Sequence, residues 1–326
     1  MEKKDLRIVF MGTPEFAVET LRALVENDYN VVAVVTQPDK PVGRHGSVLQ
    51  PSAVKQYAQQ QGLPVLQPEK MKDPAFVELL RGYNANLQVV VAFRMLPEVV
   101  WNMPEYGTFN VHAALLPQYR GAAPINWAVI NGETRTGVTT FFLDHDIDTG
   151  HIIMQMPFDI PDTADVEYVY DGLMHLGAEI CLETLQRIVE ADGHPLSVAQ
   201  DQTADSSTPL KAAPKIFKDT CRVDWNMSAK RVYDFVRGLS PYPGAWTTLV
   251  APDGTEAVLK LFRTTKTGQT AEGRKPGTIV ADRKHMYIAA QDELLQVNEL
   301  QVAGKKRMDA QAFLNGMKDI ENYSAR

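Results

Sequence analysis

Apolar positions along this chain follow two rhythms. In the first half, short unbroken apolar runs alternate with stretches whose apolar residues recur every three or four positions. Leu6–Met11 (LRIVFM) is such a run, and Gly12 closes it. Thr13 and Pro14 then stand as N-cap and first helical residue, ahead of a stripe at Phe16, Leu21, Leu24 and Val25 that ends near Asn27–Asp28. Val31–Thr36 is the next run. Strand, helix and strand at this spacing make a βαβ unit, which implies a parallel sheet. The alternation continues with helices over Ala53–Gln61 and Pro74–Arg81 and strands over Pro64–Leu66, Leu87–Ala92, Val138–Leu143 and His151–Ile160. A helix of period 3.6 follows over Val166–Ala191, striped by Leu173, Leu176, Ile180, Leu185, Ile188 and Val189.

After residue 191 the rhythm changes. Residues 192–214 turn to Gly, Pro, Ser, Thr and Asp and read as a linker. One helix, Ser228–Leu239, precedes short alternating segments divided by APDG, TKTGQ, GRKPG and DRKH, the spacing of a small β-barrel. The expected fold is α/β: a Rossmann-like parallel-sheet domain over 1–191, the linker, and a smaller OB-like β-barrel domain over 215–326.

With 326 residues, 44% hydrophobic and 22% charged, the chain has the composition of an ordinary globular protein and the length for two domains. Its longest apolar runs, VVAVV and VVVAF, are strand-length and far short of a membrane span. The opening MEKKDLRIVFMG has neither the apolar core nor the cleavage site of a secretory signal. Cys181 and Cys221 fall in no CxxC pattern, which fits a reducing cytoplasm. The net charge of −7 is unevenly spread: residues 206–326 carry +6 and residues 1–205 carry −13. A basic module on an acidic body fits a nucleic-acid partner, whose phosphates Lys and Arg neutralise, although charge is also unevenly spread in proteins that bind none.

Candidate chemistry collects at TFNVHAALLP (108–117) and DHDIDTG (144–150). In an extended strand residues i and i+2 share a face, so Asn110 and His112 point one way and Phe109 and Val111 the other. The first strand-to-helix turn, GTPEFA, is not GxGxxG, and no GxxxxGK[ST] occurs, which argues against a dinucleotide or P-loop site. Asp144, Asp146 and Asp148 alternate as in a calcium loop, but its required Gly and Glu are replaced by Thr149 and Gln155. Zinc spacing and GxSxG are absent as well. An Asn, a His and a carboxylate remain, with no side-chain nucleophile. That set suits attack by a substrate amine on a carbonyl: the Asn amide faces the oxygen that gains charge, and the His moves a proton or carries charge. The same spacing also suits a histidine that is merely hydrogen-bonded in a core. FRMLP (93–97) follows a strand's carboxyl end, where open α/β sheets bind ligands. The long connection Gln37–Pro51 carries Lys40, Arg44 and His45; loops of this length are commonly functional.

The segments FNVHAALLPQYRGAAPINWAVINGETRTGVT and DHDIDTG resemble the folate-dependent formyltransferases. GTPEFA, TQPDKPVGR, PYPGAW and VAGKKRM (302–308) resemble those members of the superfamily that act on methionyl-tRNA, and the likeness runs from Ile8 to near Gly316. The resemblance implies formyl transfer from 10-formyltetrahydrofolate to the amino group of initiator methionyl-tRNA, in bacterial translation initiation, by a monomer that needs no metal. It places the catalytic roles on Asn110, His112 and Asp148. It sets the folate against Ala114, Leu115, Leu116 and Pro117, with an apolar pterin pocket that Phe93, Met95 and Leu96 line. It assigns tRNA contacts to Arg44 in the long loop and to Lys305, Lys306 and Arg307 in the barrel. Two departures stand out. Ala114 occupies a position where the family often has Ser, so a backbone contact survives there and a hydroxyl contact does not. The loop after Arg44, HGSVLQ, has fewer Lys than in some relatives. A sugar-nucleotide N-formyltransferase shares the same core; the basic loop and the GKKR cluster favour tRNA.

Overall fold

The structure, a computed structural model, describes residues 1–42, 48–203, 208–317 and 319–326. β1 (Arg7–Gly12) leads into α1 (Glu15–Glu26) and β2 (Asn30–Val35). The helix starts one residue later than the sequence suggested. Pro14, at ψ 173°, is the N-cap and provides no side-chain cap, while the Thr13 hydroxyl accepts from the Gln37 N–H at 3.4 Å. Within the connection that follows, β3 (Lys40–Val42) and β4 (Val48–Gln50) pair antiparallel. Next come α2 (Ala53–Gln60), capped by Ser52, then β5 (Val65–Leu66), α3 (Pro74–Gly82), capped by Asp73, and β6 (Leu87–Val91). α4 (Glu98–Trp101) and β7 (Thr108–His112) complete the parallel part. The chain continues through β8 (Arg120–Gly121), α5 (Pro124–Ile130), β9 (Arg135–Phe142), β10 (Ile152–Asp159), α6 (Val166–Glu190), α7 (Gln200–Thr203) and β11 (Ala212–Ala213).

The first sheet runs β10-β9-β7-β6-β1-β2-β5. β5, β2, β1, β6 and β7 are parallel, and β9 runs antiparallel to β7. Strand order leaves β1 toward β2 on one side and toward β6 on the other, so the sheet has a topological switch point there. Ligands of open α/β sheets bind beyond the carboxyl ends of strands at such a point. Alternation along β1 sends Val9 and Met11 into a cluster with Val35, Phe76, Leu80 and Leu96. In α6, Leu173, Ile180, Leu185 and Ile188 are fully buried, and Leu176 and Val189 are half-buried.

The C-terminal region begins with α8 (Ala229–Gly238), whose Ser228 cap accepts from the Arg231 N–H. It continues with β12 (Ala245–Val250), β13 (Glu256–Thr270), β14 (Ile279–Ala281), β15 (Met286–Ala289), β16 (Glu293–Val302), β17 (Met308–Asp309), α9 (Ala310–Gly316) and β18 (Ser324–Ala325). The sheet order is β14-β15-β16-β13-β12-β18, antiparallel throughout. Ser324 bridges back to Thr278, one residue before β14, and the Ala325 N–H donates to Gly277 O at 2.8 Å. The sheet thus curls into a nearly closed barrel, which leaves little free edge. Val232 and Val236 of α8, and Leu239 just after it, plug its core beside Leu261, Ile288, Leu295 and Val297.

The chain divides into two compact units: residues 1–121, 136–159 and 170–212, and residues 122–135, 160–169 and 213–326. α5 therefore groups with the barrel, where the Asn126 amide donates to Gly238 O at 2.9 Å and Ile130 joins the barrel core.

Candidate active site

β7 lies between β6 and β9, with Asn110 opposite Val90 and Phe141 and with His112 opposite Thr139. Its apolar face, Phe109 and Val111, is buried. The other face carries Asn110, half-buried, and His112, buried. The buried Oδ1 of Asn110 has no hydrogen-bond partner among the described residues. Such an orphan is uncommon in a folded protein and costs about 1–3 kcal/mol.

Both ring nitrogens of His112 face oxygen. Nε2 lies 3.0 Å from the Tyr119 carbonyl oxygen and so donates to it. Nδ1 lies 3.9 Å from Asp148 Oδ2, a charge contact too long for a hydrogen bond. The ring is thus held at one nitrogen and faces a carboxylate with the other. The two residues that present these oxygens adopt left-handed backbone, Tyr119 at φ 60° and Asp148 at φ 55°. Backbone of this kind costs of order 1–3 kcal/mol and concentrates at functional sites. The Asp148 carboxylate also accepts from the Gly121 N–H at 3.0 Å. Its turn is tight: a Cβ on Gly150 would stand 1.7 Å from Phe142 O.

The stretch after His112 is fastened from below. The Thr139 hydroxyl donates to Ala114 O at 2.7 Å and accepts from the Leu116 N–H at 3.1 Å. Gln155 Nε2 donates to Leu116 O and to the same hydroxyl, each at 2.9 Å. One donor and two acceptors exhaust that hydroxyl. Ala114, Leu116 and Pro117 are buried, and Leu115 is half-buried, resting where Gly137 leaves room for its Cδ2. On the neighbouring strand end, Leu96 and half-buried Phe93 belong to the cluster that includes Leu143. Leu143 also packs against Leu116, Phe141 and Ile152. Leu143 thus packs against the cluster that holds Leu96 and against the one that holds Leu116. Met95 is 76% exposed and packs in neither cluster. Between them Arg94 donates to the carbonyls of Glu69 and Pro68.

Arg44 lies outside the described residues. Lys305, Lys306 and Arg307 occupy an exposed turn between β16 and β17. Arg307 is committed there, with Nε and Nη2 on the two Glu299 oxygens at 2.6 and 2.9 Å and its guanidinium 4.3 Å from the Phe262 ring. Sequence reasoning missed Thr139, Gln155, Arg120 and Gln200. Gln200 falls in the stretch read as linker, yet it is buried and donates to Asp148 O and Gly150 O. Among the described residues no three His, Cys, Asp or Glu side chains are grouped to hold a metal ion.

Residues 6–185 match the family model for formyl transferase, and residues 215–318 match that for the formyl transferase C-terminal domain. The chain belongs to the formyl transferase family. A methionyl-tRNA formyltransferase of Parabacteroides distasonis is 61% identical to this formyl transferase over 99% of each chain. HypX from Aquifex aeolicus, solved with tetrahydrofolic acid, shares the fold at 20% identity and TM-score 0.61; the match covers 95% of this chain and 47% of that one. An N-formyltransferase from Helicobacter canadensis, solved with folinic acid and dTDP-3-aminofucose, shares it at 17% identity and TM-score 0.59, over 93% and 100% of the two chains.

Proposed function

We propose that this formyl transferase moves the formyl group of 10-formyltetrahydrofolate onto the amino group of initiator methionyl-tRNA, as a cytoplasmic monomer. The observation that carries the reading is the polar face of β7. Asn110 brings an amide with unfilled hydrogen-bonding capacity, and His112 faces a carboxylate at 3.9 Å, at the carboxyl end of a sheet whose switch point is adjacent. The full-length relative at 61% identity supports the substrate pair. The likeness to the sugar-linked enzyme, at 17% identity, is one of fold. The orphaned Asn110 oxygen and the apolar Phe93–Leu96 side suit a flat, partly polar donor.

The donor, when bound, supplies an activated formyl carbonyl. Asn110 orients that carbonyl through its amide. His112, anchored by Nε2 to the Tyr119 carbonyl, leaves Nδ1 free of any close hydrogen bond, and when protonated it stabilises the oxygen that becomes negative. Asp148 accepts the proton released as the amine nitrogen bonds to the formyl carbon, directly or through His112; the bond from that carbon to the folate nitrogen then breaks, and the proton leaves on tetrahydrofolate. The aminoacyl amine is less basic than a free α-amino group, whose pKa is about 7.7–8.0, and so attacks without a protein nucleophile. Burial pushes both cysteine thiols up, so neither offers a ready thiolate. The basic C-terminal region, with Lys305 and Lys306 exposed, supports tRNA binding. Arg44 keeps its assigned tRNA contact as part of the proposal.

The test offers methionyl-tRNA and an amino-sugar nucleotide side by side with 10-formyltetrahydrofolate. We expect formylation of the tRNA alone, lost at least about 10³-fold in His112→Ala with tRNA affinity retained. Transfer to the sugar, or full activity of His112→Ala, sinks the reading.

A further inference from the structure

Gln200 behaves unlike the stretch around it. Residues 192–203 are mostly exposed, yet Gln200 is 3% exposed. Its Nε2 donates to the Asp148 carbonyl at 2.8 Å and to the Gly150 carbonyl at 2.9 Å. Its Oε1 accepts from Nε and Nη2 of Arg120 at 3.1 and 2.6 Å. Every hydrogen-bonding position of the amide is filled. Arg120 is followed by Gly121, whose N–H holds Asp148 Oδ2 at 3.0 Å. The dipeptide Arg120–Gly121 therefore grips the Asp148 turn twice, once on the carboxylate and once through Gln200 on the backbone. That turn needs a grip, because Asp148 sits at φ 55° and its carboxylate makes no hydrogen bond to His112 that would hold it in place.

We infer that Gln200, locked by Arg120, is a positioning residue that sets the distance between the Asp148 carboxylate and the His112 ring. A displacement of about 1 Å in a catalytic group can cost 10²-fold in rate. Gln200 touches neither reacting group through its own chemistry: it fixes two carbonyls, and the carboxylate follows. The inference rests on the reading of Asp148 as the partner of His112 in catalysis.

The test is a double-mutant cycle on the full chain, with kcat and both KM values measured in each variant. Gln200→Ala should lower kcat about 10- to 100-fold and leave both KM values within about twofold, with a fall in melting temperature from the partners it leaves unpaired. In an Asp148→Asn background the same change should cost less than about threefold, because the carboxylate it aims has gone. Arg120→Lys keeps the charge but loses the two-pronged donor. It should show a smaller kcat loss with the same non-additivity, and it carries the test alone should Gln200→Ala fold poorly. Full multiplication of the losses in the Asp148→Asn background overturns the inference, as does a loss confined to KM. Wild-type kcat in Asp148→Asn alone is a separate result: it removes the catalytic reading of Asp148, and the inference falls with it.

Discussion

Asp148 and Asp234 are both shielded carboxylates beside basic side chains, built in opposite ways. Asp234 sits within α8, with Arg237 Nε on one oxygen at 2.8 Å and Lys230 Nζ on the other at 2.6 Å. Its side chain is 1% exposed. Arg237 is completed by the carbonyls of Ala164 at 2.9 Å and Pro161 at 3.4 Å. Asp148 sits on a left-handed turn, accepts one N–H, and stands 3.9 Å from its basic neighbour. The first group has nothing left to give. The second retains capacity on a carboxylate whose distance to His112 the fold sets through strained backbone. A saturated pair stabilises a fold; an unsaturated pair held by its surroundings can change partners as charge moves.

The sharpest way to break this contrast is to truncate each carboxylate and measure both properties in both variants. Asp148→Ala should lower kcat about 10³-fold and shift unfolding free energy by only about 1 kcal/mol, since the carboxylate accepts a single N–H, that of Gly121. Asp234→Ala should destabilise by about 3 kcal/mol, because it leaves the buried Arg237 cation uncompensated. The folded fraction should keep its kcat. Urea unfolding and initial rates settle both. Equal destabilisation by the two changes would mean that Asp148 is a structural anchor like Asp234.

A smaller effect probes the strained turn itself. In Gly150→Ala the new Cβ would meet the Phe142 carbonyl at 1.7 Å, backbone against backbone, and only a shift of the turn can relieve it. We expect about 1–3 kcal/mol of destabilisation, with kcat falling because Asp148 moves along. A Gly150→Ala enzyme with normal kcat would show that the carboxylate tolerates displacement, and would blunt the distinction from Asp234.

The two regions also differ in how far the sequence reveals them. The Asp234 staple is local: Lys230, Asp234 and Arg237 fall at i, i+4 and i+3 spacings that any helix brings together. Asn110 and His112 were legible for a similar reason, since period 2 on a short apolar strand places them on one face. Strand and helix limits around β1, α1 and β2 follow from apolar runs and hold within a residue. The Thr13 cap failed because Pro14 took the N-cap position and the Thr13 hydroxyl turned to Gln37. Gln200 was illegible in principle. A glutamine in a polar stretch carries no periodic signal, and its partners Asp148, Gly150 and Arg120 lie 50 to 80 residues away. The pairing of β3 with β4 is hidden likewise, by prolines that read as coil.

The smallest expected effect concerns an ion pair on the surface of the barrel unit, and it marks the lower end of the same scale. Lys266 Nζ lies 2.7 Å from Asp162 Oδ2 and 4.8 Å from the Tyr233 ring centroid. Its hydrogen bond holds the Asp162 carboxyl below its ordinary range, and the same contact raises the Lys266 ammonium. The carboxylate's contribution to stability is therefore present above the ordinary carboxylate range and lost as pH falls through the depressed value. The lysine's contribution is present below its ordinary range and lost as pH rises through the raised value. Asp162 is 62% exposed, so screening leaves the pair worth at most about 0.5 kcal/mol. Asp162→Asn should cost that much at pH 7 in low salt and nothing once the carboxyl of the parent is protonated. Urea midpoints of parent and variant at pH 7 and along a descending pH series decide it. A difference that persists once the parent carboxyl is protonated would trace to the side-chain hydrogen bond to Lys266 rather than to the charge, and would place hydrogen bonding at the base of the scale.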